Sequence, residues 1–446
     1  MKRIICLVLM IIIVFFAACE NIKPTDDVDF DNTNNSNETS DTGENENEEL
    51  NSGISNTDNV TPSNENNTPS AKPVEISVWD GKSSKMWTKG KGIKEDPYLI
   101  ETAEHLAFLA ECSLEGYFLN CHFLQTANID LGDNVWTPIG TNGRAFCGGY
   151  DGGDFTISNI RFKKGEGNKC TIRNKVYESM GLFGYLEDAT VKNVHISGVK
   201  LKTTLTEVSS DVFYIGGIAG CVRSGSETIM EHCFVDKTSI SIDSKADRTI
   251  YLGGIFGYGE IYEGALQRFY KLSADVEARV YVAGYSSIGG IAGKIYQSGK
   301  IKFFDICSYL DIMKSTTNTG EYYISPLMGT FEAYKGDIQL KSCYLSLNSN
   351  GDSFNITDNK KGHKTKINGC IGLHYGLYKG KATITNVFTS FTQSGNYAEG
   401  YSLFYITCEE ETVTRTNSAV VYILPHDCGF DKRIWNLSDM SHPKLK

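Results

Sequence analysis

A glycine-rich hydrophobic phrase that recurs at a nearly fixed interval is the feature that most limits how this chain can fold. Its copies read Gly181-Leu-Phe-Gly184, Gly216-Gly-Ile-Ala-Gly220, Gly253-Gly-Ile-Phe-Gly257, Gly289-Gly-Ile-Ala-Gly293 and Pro326-Leu-Met-Gly329. The aliphatic residue inside each copy advances by 36, 37, 36 and 36 residues from Leu182 to Leu327, and Leu373 and Leu403 lie in two looser candidates. A repeat of this length indicates a solenoid or a propeller, in which each unit buries its apolar face against its neighbours.

A second phrase follows each glycine phrase by about ten residues and is rich in β-branched and aromatic residues. Val191-Lys-Asn-Val-His-Ile196 and Met230-Glu-His-Cys-Phe-Val235 are two examples, and their partial alternation predicts short strands. A third strand per unit is represented by Ser239-Ile-Ser-Ile-Asp243. Because a propeller blade needs about four strands, this unit favours an all-β solenoid of stacked parallel coils.

Stacking assigns roles to the recurring residues. Coils about 4.8 Å apart align equivalent positions in columns, so the glycines are expected to supply positive φ and close backbone approach at corners. Cys233, Cys307 and Cys343 are predicted to form one interior column of small apolar residues. Without Cys6 and Cys19, an odd number of the 13 cysteines remains, so buried free thiols are favoured over a disulfide framework.

The glycine phrases, together with the segments that flank them, resemble the GLUG-motif repeats of bacterial surface proteins. The flanking matches are Gly92-Ile-Lys-Glu-Asp-Pro-Tyr-Leu-Ile100, Trp136-Thr-Pro-Ile-Gly140, Phe146-Cys-Gly-Gly-Tyr-Asp-Gly-Gly-Asp-Phe-Thr-Ile157 and the stretch from Trp435 to Leu445. The resemblance covers about residues 90–446. It implies a right-handed parallel β-helix that is extracellular or attached to a surface.

One short helix is predicted from the residues themselves, over Thr102 to Glu111. Leu106 and Leu109 fall on one face, and Thr102 can cap the amino end. Solenoids need covered ends, so this helix is expected to cap the amino end of the stack and Phe430 to Lys446 the other end. The resulting organisation is a solenoid over 77–446, with an N-terminal cap about 90–160, repeats about 180–410 and a C-terminal cap about 411–446.

The amino terminus has the pattern of an export signal. Two basic residues precede an apolar run of 13 residues, Ile4 to Phe16, which is shorter than the roughly 20 residues of a membrane-spanning helix. Ala17-Ala18-Cys19 resembles a bacterial lipobox, although Phe16 stands where that family prefers Leu. The resemblance implies a lipoprotein signal peptide, 1–18, and lipid attachment to Cys19; an ordinary secretory signal is the alternative.

Residues 19–76 consist mainly of Asn, Ser, Thr, Asp and Glu, a composition that cannot bury a core and predicts a disordered tether. From Glu20 to Glu75 the segment holds 14 acidic residues and two lysines, and its net charge of −12 accounts for the −11 of the whole chain. The remainder is nearly neutral, which argues against a nucleic-acid partner.

Familiar catalytic motifs are missing from the sequence. It contains no His-Glu-x-x-His, no Gly-x-Ser-x-Gly and no phosphate-binding Gly-x-x-x-x-Gly-Lys-Ser/Thr. Asp151 and Asp154 could form an acid pair, but their Asp-Gly context favours a tight turn, and His195 and His232 are expected to face turns or stack. We therefore predict no catalytic residue, metal ligand or cofactor.

The predicted function is that of a binding or adhesion lipoprotein, outside the cytoplasm at the cell surface, held to the membrane by the lipid on Cys19. Its partner would be a glycan or a protein, and Glu321-Tyr-Tyr323 and Gly376-Leu-Tyr-Lys379 are candidate contact segments. Two alternatives stay open: a β-helix enzyme that cleaves polysaccharides by hydrolysis or lysis, and a purely structural envelope protein. Acidic and basic residues clustered in a cleft would favour the enzyme, and an aromatic surface would favour binding.

Overall fold

The computed structural model describes residues 78–172, 174–204, 210–313, 320–333, 335–349, 365–367, 371–373, 380–393, 396–397, 413–416, 418–420, 428–440 and 443–446. The predicted signal peptide and tether, with Cys19, lie outside the described residues. So do Leu403 and the segment Gly376 to Lys379.

Nearly all of the regular structure is β-strand. The strands that precede the regular coils are β1 (Tyr98–Ile100), β2 (His122–Gln125), β3 (Ile129–Asp130), β4 (Gly149–Asp151), β5 (Thr156–Ser158), β6 (Arg161–Phe162) and β7 (Asn168–Ile172). The coils follow as β8 (Lys175–Met180), β9 (Phe183–Glu187), β10 (Thr190–Lys192), β11 (His195–Ser197) and β12 (Lys200–Thr204); β13 (Val212–Ile215), β14 (Ala219–Ser224) and β15 (Glu227–Ser244); β16 (Thr249–Gly253), β17 (Phe256–Ile261) and β18 (Leu266–Val282); β19 (Tyr285–Gly289), β20 (Ala292–Gln297) and β21 (Lys300–Met313); β22 (Glu321–Ser325), β23 (Met328–Ala333) and β24 (Ile338–Ser349); and β25 (Thr365–Ile367), β26 (Ile371–Leu373) and β27 (Ala382–Gln393). The last strands are β28 (Asn396–Tyr397), β29 (Val413–Thr416), β30 (Ala419–Val420), β31 (Trp435–Asn436) and β32 (Lys444–Leu445).

Three sheets run along the stack because each regular coil contributes strand structure to all of them. The six-stranded sheet contains β9, β14, β17, β20, β23 and β26, and the seven-stranded sheet contains β8, β13, β16, β19, β22 and β25 with β7 at its edge. The remaining strand of each coil joins a 17-stranded long sheet. Successive coils pair in parallel, as β15 with β18 and β18 with β21 do. The predicted β-solenoid of stacked parallel coils is therefore confirmed.

The helix that the sequence predicted is present as α1 (Ala103–Leu114). The Thr102 hydroxyl accepts a hydrogen bond from the His105 backbone N–H at 3.4 Å, as an N-cap residue should. Leu106 and Leu109 are fully buried in the main hydrophobic core. The helix follows β1, so its apolar face covers core residues where the stack begins.

The aliphatic residues of the glycine phrases stack as predicted. Leu182, Ile218, Ile255, Ile291 and Leu327 are all 0% exposed. The Ile218 N–H donates to the Ile255 carbonyl at 2.9 Å, and the Ile255 N–H donates to the Ile291 carbonyl at 3.0 Å. The proposed continuation at Leu373 is wrong. Strand β26 places Leu373 opposite Thr330 and Ile371 opposite Met328, because the intervening coil takes 43 residues instead of 36.

The glycines of these phrases act through close approach alone. None of those in the described copies has a left-handed φ, so the prediction of positive φ at these corners is wrong. A Cβ placed on Gly257 would lie 2.3 Å from the Ile215 nitrogen, and one on Gly329 would lie 2.4 Å from the Ile288 nitrogen. Backbone of the preceding coil therefore occupies the space that any side chain would need.

The predicted column of three cysteines is only partly correct. Through Leu272 and Ile306, Cys233 and Cys343 share one interior column, and both are fully buried. Cys307 lies one residue further along its strand and therefore points to the opposite face of the sheet. Five of the nine described cysteines are buried, and burial raises the pKa of the Cys233 and Cys307 thiols to about 12.

The carboxyl-terminal residues cover the side of the long sheet. The Trp435 indole N–H donates to Asp305 at 3.2 Å, and the Tyr309 hydroxyl donates to the Pro443 carbonyl at 2.7 Å. Trp435 also packs with Cys307 and Phe388 in a separate apolar cluster. The described part of this segment therefore packs against apolar side chains on the outer face of β21, β24 and β27, and its role as a cap at the open end stays a prediction.

A column of left-handed residues bends the long sheet. The φ angle is between 50° and 61° at Asp154, Asn193, His232, Lys271, Asp305, Ser342 and Asn386. In the ladder between β18 and β21, Tyr270 pairs with Phe304 and Leu272 with Ile306, so Lys271 and Asp305 face each other outside the regular pairing. We call these seven residues the left-handed column. Asp154 lies in the turn between β4 and β5, and the other six residues lie at the corresponding position of the later coils.

Candidate binding surface

The outer sides of the seven-stranded and six-stranded sheets carry most of the described stacked tyrosines. Side chains alternate along a strand, so in β13 Phe213 and Ile215 join the main core while Val212 and Tyr214 point outward. The outward position of Tyr214 is taken by Tyr251 in the next coil. The sequence signal for this column is a tyrosine two residues before a Gly-Gly pair, at Tyr214 and Tyr251.

Rings from the two sheets stack on one another. Tyr214 and Tyr258 lie 4.9 Å apart between ring centroids and only 10° from parallel, and Tyr251 lies 5.8 Å from Tyr258. Tyr177 extends the row on one side and Tyr285 on the other, at 5.6 Å from Tyr214 and 6.0 Å from Tyr251 respectively. We call these five residues the tyrosine cluster. It spans four successive coils.

Two ion pairs border the tyrosine cluster. The Lys294 ammonium lies 5.5 Å from the Tyr251 ring centroid and 2.6 Å from a carboxylate oxygen of Glu332. Arg223 lies 5.6 Å from the ring centroid of Tyr185 and 3.1 Å from Glu187. Cations above aromatic faces add electrostatic stabilisation to the packing of the rings.

Two tyrosines at the margin are open to solvent. Tyr262 is 41% exposed and Tyr296 is 36% exposed, whereas Tyr214 is only 8% exposed. Glu260 pairs with Tyr296 in the neighbouring strand, and its carboxylate accepts a hydrogen bond from the Tyr262 hydroxyl. We call Tyr262, Tyr296 and Glu260, together with the adjoining tyrosine cluster, the tyrosine surface.

The hydroxyls of Tyr214, Tyr258 and Tyr262 stay protonated across the physiological range. Burial, followed by nearby negative charge, raises the pKa of Tyr262, and burial is also the main cause of the raised pKa of Tyr214 and Tyr258. A neutral phenol both donates and accepts hydrogen bonds. The surface therefore combines flat apolar rings with hydroxyl, carboxylate and ammonium groups.

The predicted segment Glu321-Tyr-Tyr323 is a strand, and its two tyrosines face opposite sides. Tyr322 is buried in the main core, where its hydroxyl donates to the Val282 carbonyl at 2.6 Å. Tyr323 points outward and packs against Tyr285 at 5.3 Å, but it is only 1% exposed. Tyr323 therefore packs against the tyrosine cluster and is not itself open to solvent.

Asp151 and Asp154, weighed as an acid pair, have separate surroundings. Asp151 accepts hydrogen bonds from the Gly153 N–H at 3.0 Å and the Asn193 amide at 2.9 Å, and Lys192 lies 2.9 Å away. Burial acts to raise the pKa of Asp151, but the hydrogen bonds from Asn193, Lys192 and Gly153 together hold it below the usual value. Asp151 thus stabilises the turn as a carboxylate, while Asp154 points toward His232.

In the described part of the chain, no helix is both long enough and apolar enough to cross a bilayer.

Comparison with known proteins gives limited similarity, and no protein-family model matches this chain. It is 34% identical over 122 residues to a protein of Evansella cellulosilytica named "Putative Gly-rich membrane protein"; the match covers 26% of this chain and 12% of that protein. A crystal structure named "a putative immunoglobulin A1 protease" from Bacteroides ovatus aligns with a TM-score of 0.41 at 13% identity, over 81% of this chain and 95% of the other.

Proposed function

We propose that this chain is a non-catalytic carbohydrate-binding protein, anchored to the membrane by a lipid on Cys19 and displayed outside the cytoplasm. The observation that carries the proposal is the tyrosine surface on the outer side of the β-solenoid. Exposed rings at Tyr262 and Tyr296 lie beside Glu260, on the same outer face of the sheet as Tyr258 of the stacked tyrosine cluster.

A sugar ring needs two kinds of contact, and this surface offers both. Its C–H face packs on flat aromatic rings, which supply large contact area at low conformational cost. Its hydroxyls need donors and acceptors, which the carboxylate of Glu260 and the phenol groups provide. Because equivalent positions of successive coils lie about 4.8 Å apart, a linear glycan running along the stack can contact several coils.

The bordering charges are paired with each other, which favours binding over catalysis. Arg223 lies 3.1 Å from Glu187 and Lys294 lies 2.6 Å from Glu332, so each cation has a carboxylate beside it. An ion pair of this kind positions side chains for hydrogen bonding. Release of soluble sugar from a bound polysaccharide would point to the alternative, a β-helix carbohydrate-active enzyme.

Glycan binding is tested with the full chain, purified in a mild detergent, on a glycan array followed by calorimetry on the best ligand. Tyr262→Ala combined with Tyr296→Ala should weaken binding by about tenfold or more, which corresponds to a loss of about 1.4 kcal/mol. Ile93→Ala is the matched control, since Ile93 is 48% exposed but lies before β1, outside the tyrosine surface. Equal affinity of the double variant and the wild type would contradict the proposal, as would the absence of any bound glycan.

The anchor is tested separately. Cys19→Ala should move the protein from the membrane fraction to the soluble fraction, because a cysteine thiol is the attachment point of the lipid. Cys6→Ala, which changes a cysteine inside the apolar run, is the control and should remain membrane-bound. A Cys19→Ala protein that stays fully membrane-associated would contradict lipid anchoring without affecting the glycan proposal.

A further inference from the structure

Three potential metal ligands from three coils converge on the outer face of the long sheet. The ligand atoms of Asp154, His195 and His232 lie within 4.8 Å of one another. His232 Nδ1 is 3.1 Å from a carboxylate oxygen of Asp154, and the centroids of the two imidazole rings are 5.8 Å apart. This cluster lies apart from the tyrosine surface, which belongs to the other two sheets.

Backbone geometry fixes where these side chains project. Asp154 and His232 belong to the left-handed column, with φ of 61° and 54°, and His195 is the first residue of β11. In the parallel ladder, His195 pairs with Thr156 on one side and Phe234 on the other. The three ligands are therefore held by neighbouring coils of one sheet, a rigid support for a binding site.

A phenylalanine orders both imidazole rings. The Phe234 ring centroid lies 4.7 Å from that of His195 and 4.8 Å from that of His232. Packing of this kind restricts rotation of the imidazoles, so the entropy lost on ligation is smaller. Asn193 adds a polar neighbour, with its side-chain oxygen 3.1 Å from His232 Nδ1.

One imidazole nitrogen in this cluster lacks a partner. His195 Nε2 is buried and has no hydrogen-bond partner among the described residues. Buried polar nitrogens are normally paired, and this one is not committed to another protein group, so it is available to bind a ligand. Access is open from the other side, because the Asp154 and His232 side chains are 61% and 24% exposed.

We propose that Asp154, His195 and His232 bind one divalent transition metal ion of the zinc type. Two imidazoles and a carboxylate suit zinc, nickel and copper, whereas calcium and magnesium prefer oxygen ligands alone. Adjacent ligand atoms on tetrahedral zinc lie about 3.3 Å apart, close to the 3.1 Å between His232 and Asp154. To bind zinc, the most widely separated pair of ligand atoms must approach each other by at most roughly 1.5 Å. The fourth coordination position of the metal would remain open to solvent or an external ligand.

The test is metal binding to the intact chain, with zinc content measured after equilibrium dialysis and thermal unfolding measured with and without zinc. The wild type should retain one more equivalent of zinc than a variant that combines His195→Gln with His232→Asn. Zinc should also raise the melting temperature of the wild type more than that of the variant. The free cysteines contribute equally to both proteins, so the difference reports the cluster.

Two further variants separate ligation from folding. Asp154→Asn keeps a residue type that tolerates left-handed φ and should weaken zinc binding by about tenfold or more at unchanged fold. His122→Gln removes an imidazole of β2 outside the cluster and should leave zinc binding unchanged. Equal zinc content and equal thermal shifts in the wild type and the double histidine variant would overturn the proposal.

Discussion

Two of the turns in each regular coil are built in different ways. At the corner between the seven-stranded and six-stranded sheets, glycines such as Gly257 have ordinary φ but touch the backbone of the preceding coil. In the long sheet, the left-handed column bends the strand through positive φ at residues that are not glycine. At the glycine corner the choice of residue is limited by the space available for a side chain. In the left-handed column it is limited by the φ angle of the backbone.

This difference decides which residue types each turn accepts. A Cβ at the glycine corner meets backbone atoms that cannot rotate away, so the same residue recurs in successive coils. In the left-handed column the side chain points away from the ladder, and the position holds Asp, Asn, His, Lys and Ser in different coils. Asn and Asp are favoured at such angles, but a range of polar residues is tolerated. The second turn is thus where the fold can change surface chemistry, and it holds Asp154 and His232.

The largest effect is expected from crowding the glycine corner. Gly257→Ala would place a Cβ 2.3 Å from the Ile215 nitrogen and 2.8 Å from the Tyr251 carbonyl oxygen, so neighbouring coils must separate. We expect the free energy of unfolding to fall by about 2–3 kcal/mol, measured by denaturant unfolding. The control is Gly143→Ala, where no atom lies within 4 Å and φ is not left-handed. Equal stability of the two variants would show that the glycine corner is not limited by space.

A smaller effect is expected in the left-handed column. Lys271 has a φ of 50°, and a β-branched residue there is strained. Lys271→Val should lower the free energy of unfolding by about 1–2 kcal/mol, whereas Lys271→Gly should be within about 0.5 kcal/mol of the wild type. The comparison of the two variants removes the common loss of the lysine side chain. If valine and glycine are equally tolerated, the bend does not depend on positive φ.

The same contrast explains how far the sequence could predict the structure. The buried stacking of Ile218, Ile255 and Ile291 and the cap at Thr102 were predictable, because spacing and residue type together specify them. The left-handed column was not found, because its positions share an angle and not a residue type. Cys307 was misplaced for another reason: Cys233 and Cys343 directly follow the bend residue, whereas Cys307 lies one residue further along, and neighbouring residues of a strand face opposite sides.

The candidate sites were predicted less well than the fold. The tyrosine surface depends on rings of two different sheets meeting, as Tyr214 meets Tyr258 across the glycine corner. Sequence spacing shows neighbours along one column but not between sheets. His195 and His232 were expected to face turns or stack, but their rings meet edge to face with centroids 5.8 Å apart. The approach of Asp154 to His232 requires the longer turn between β4 and β5.

The smallest predicted effect concerns charge within the left-handed column. Burial raises the pKa of Asp305, although the hydrogen bond from Trp435 and the nearby lysines Lys341 and Lys271 lower it. A carboxyl whose folded pKa exceeds the ordinary value of 3.8 costs stability when it ionises, and this cost grows as the pH rises from 3.8 through the folded pKa. Asn occupies the equivalent positions 193 and 386, and an amide oxygen can still accept the Trp435 hydrogen bond.

Asp305→Asn should therefore raise the melting temperature at pH 7 by about 1–3 °C and have less effect near pH 3.5. Thermal unfolding of both proteins at the two pH values measures this difference. Asp431→Asn has the opposite sign and serves as the control, because hydrogen bonds from the Arg433 side chain and backbone lower the pKa of Asp431 to about 2, so its charged form stabilises the fold above that pH. If Asp305→Asn raises the melting temperature equally at both pH values, the amide acts through packing. The left-handed column would then accept a charged side chain at no electrostatic cost.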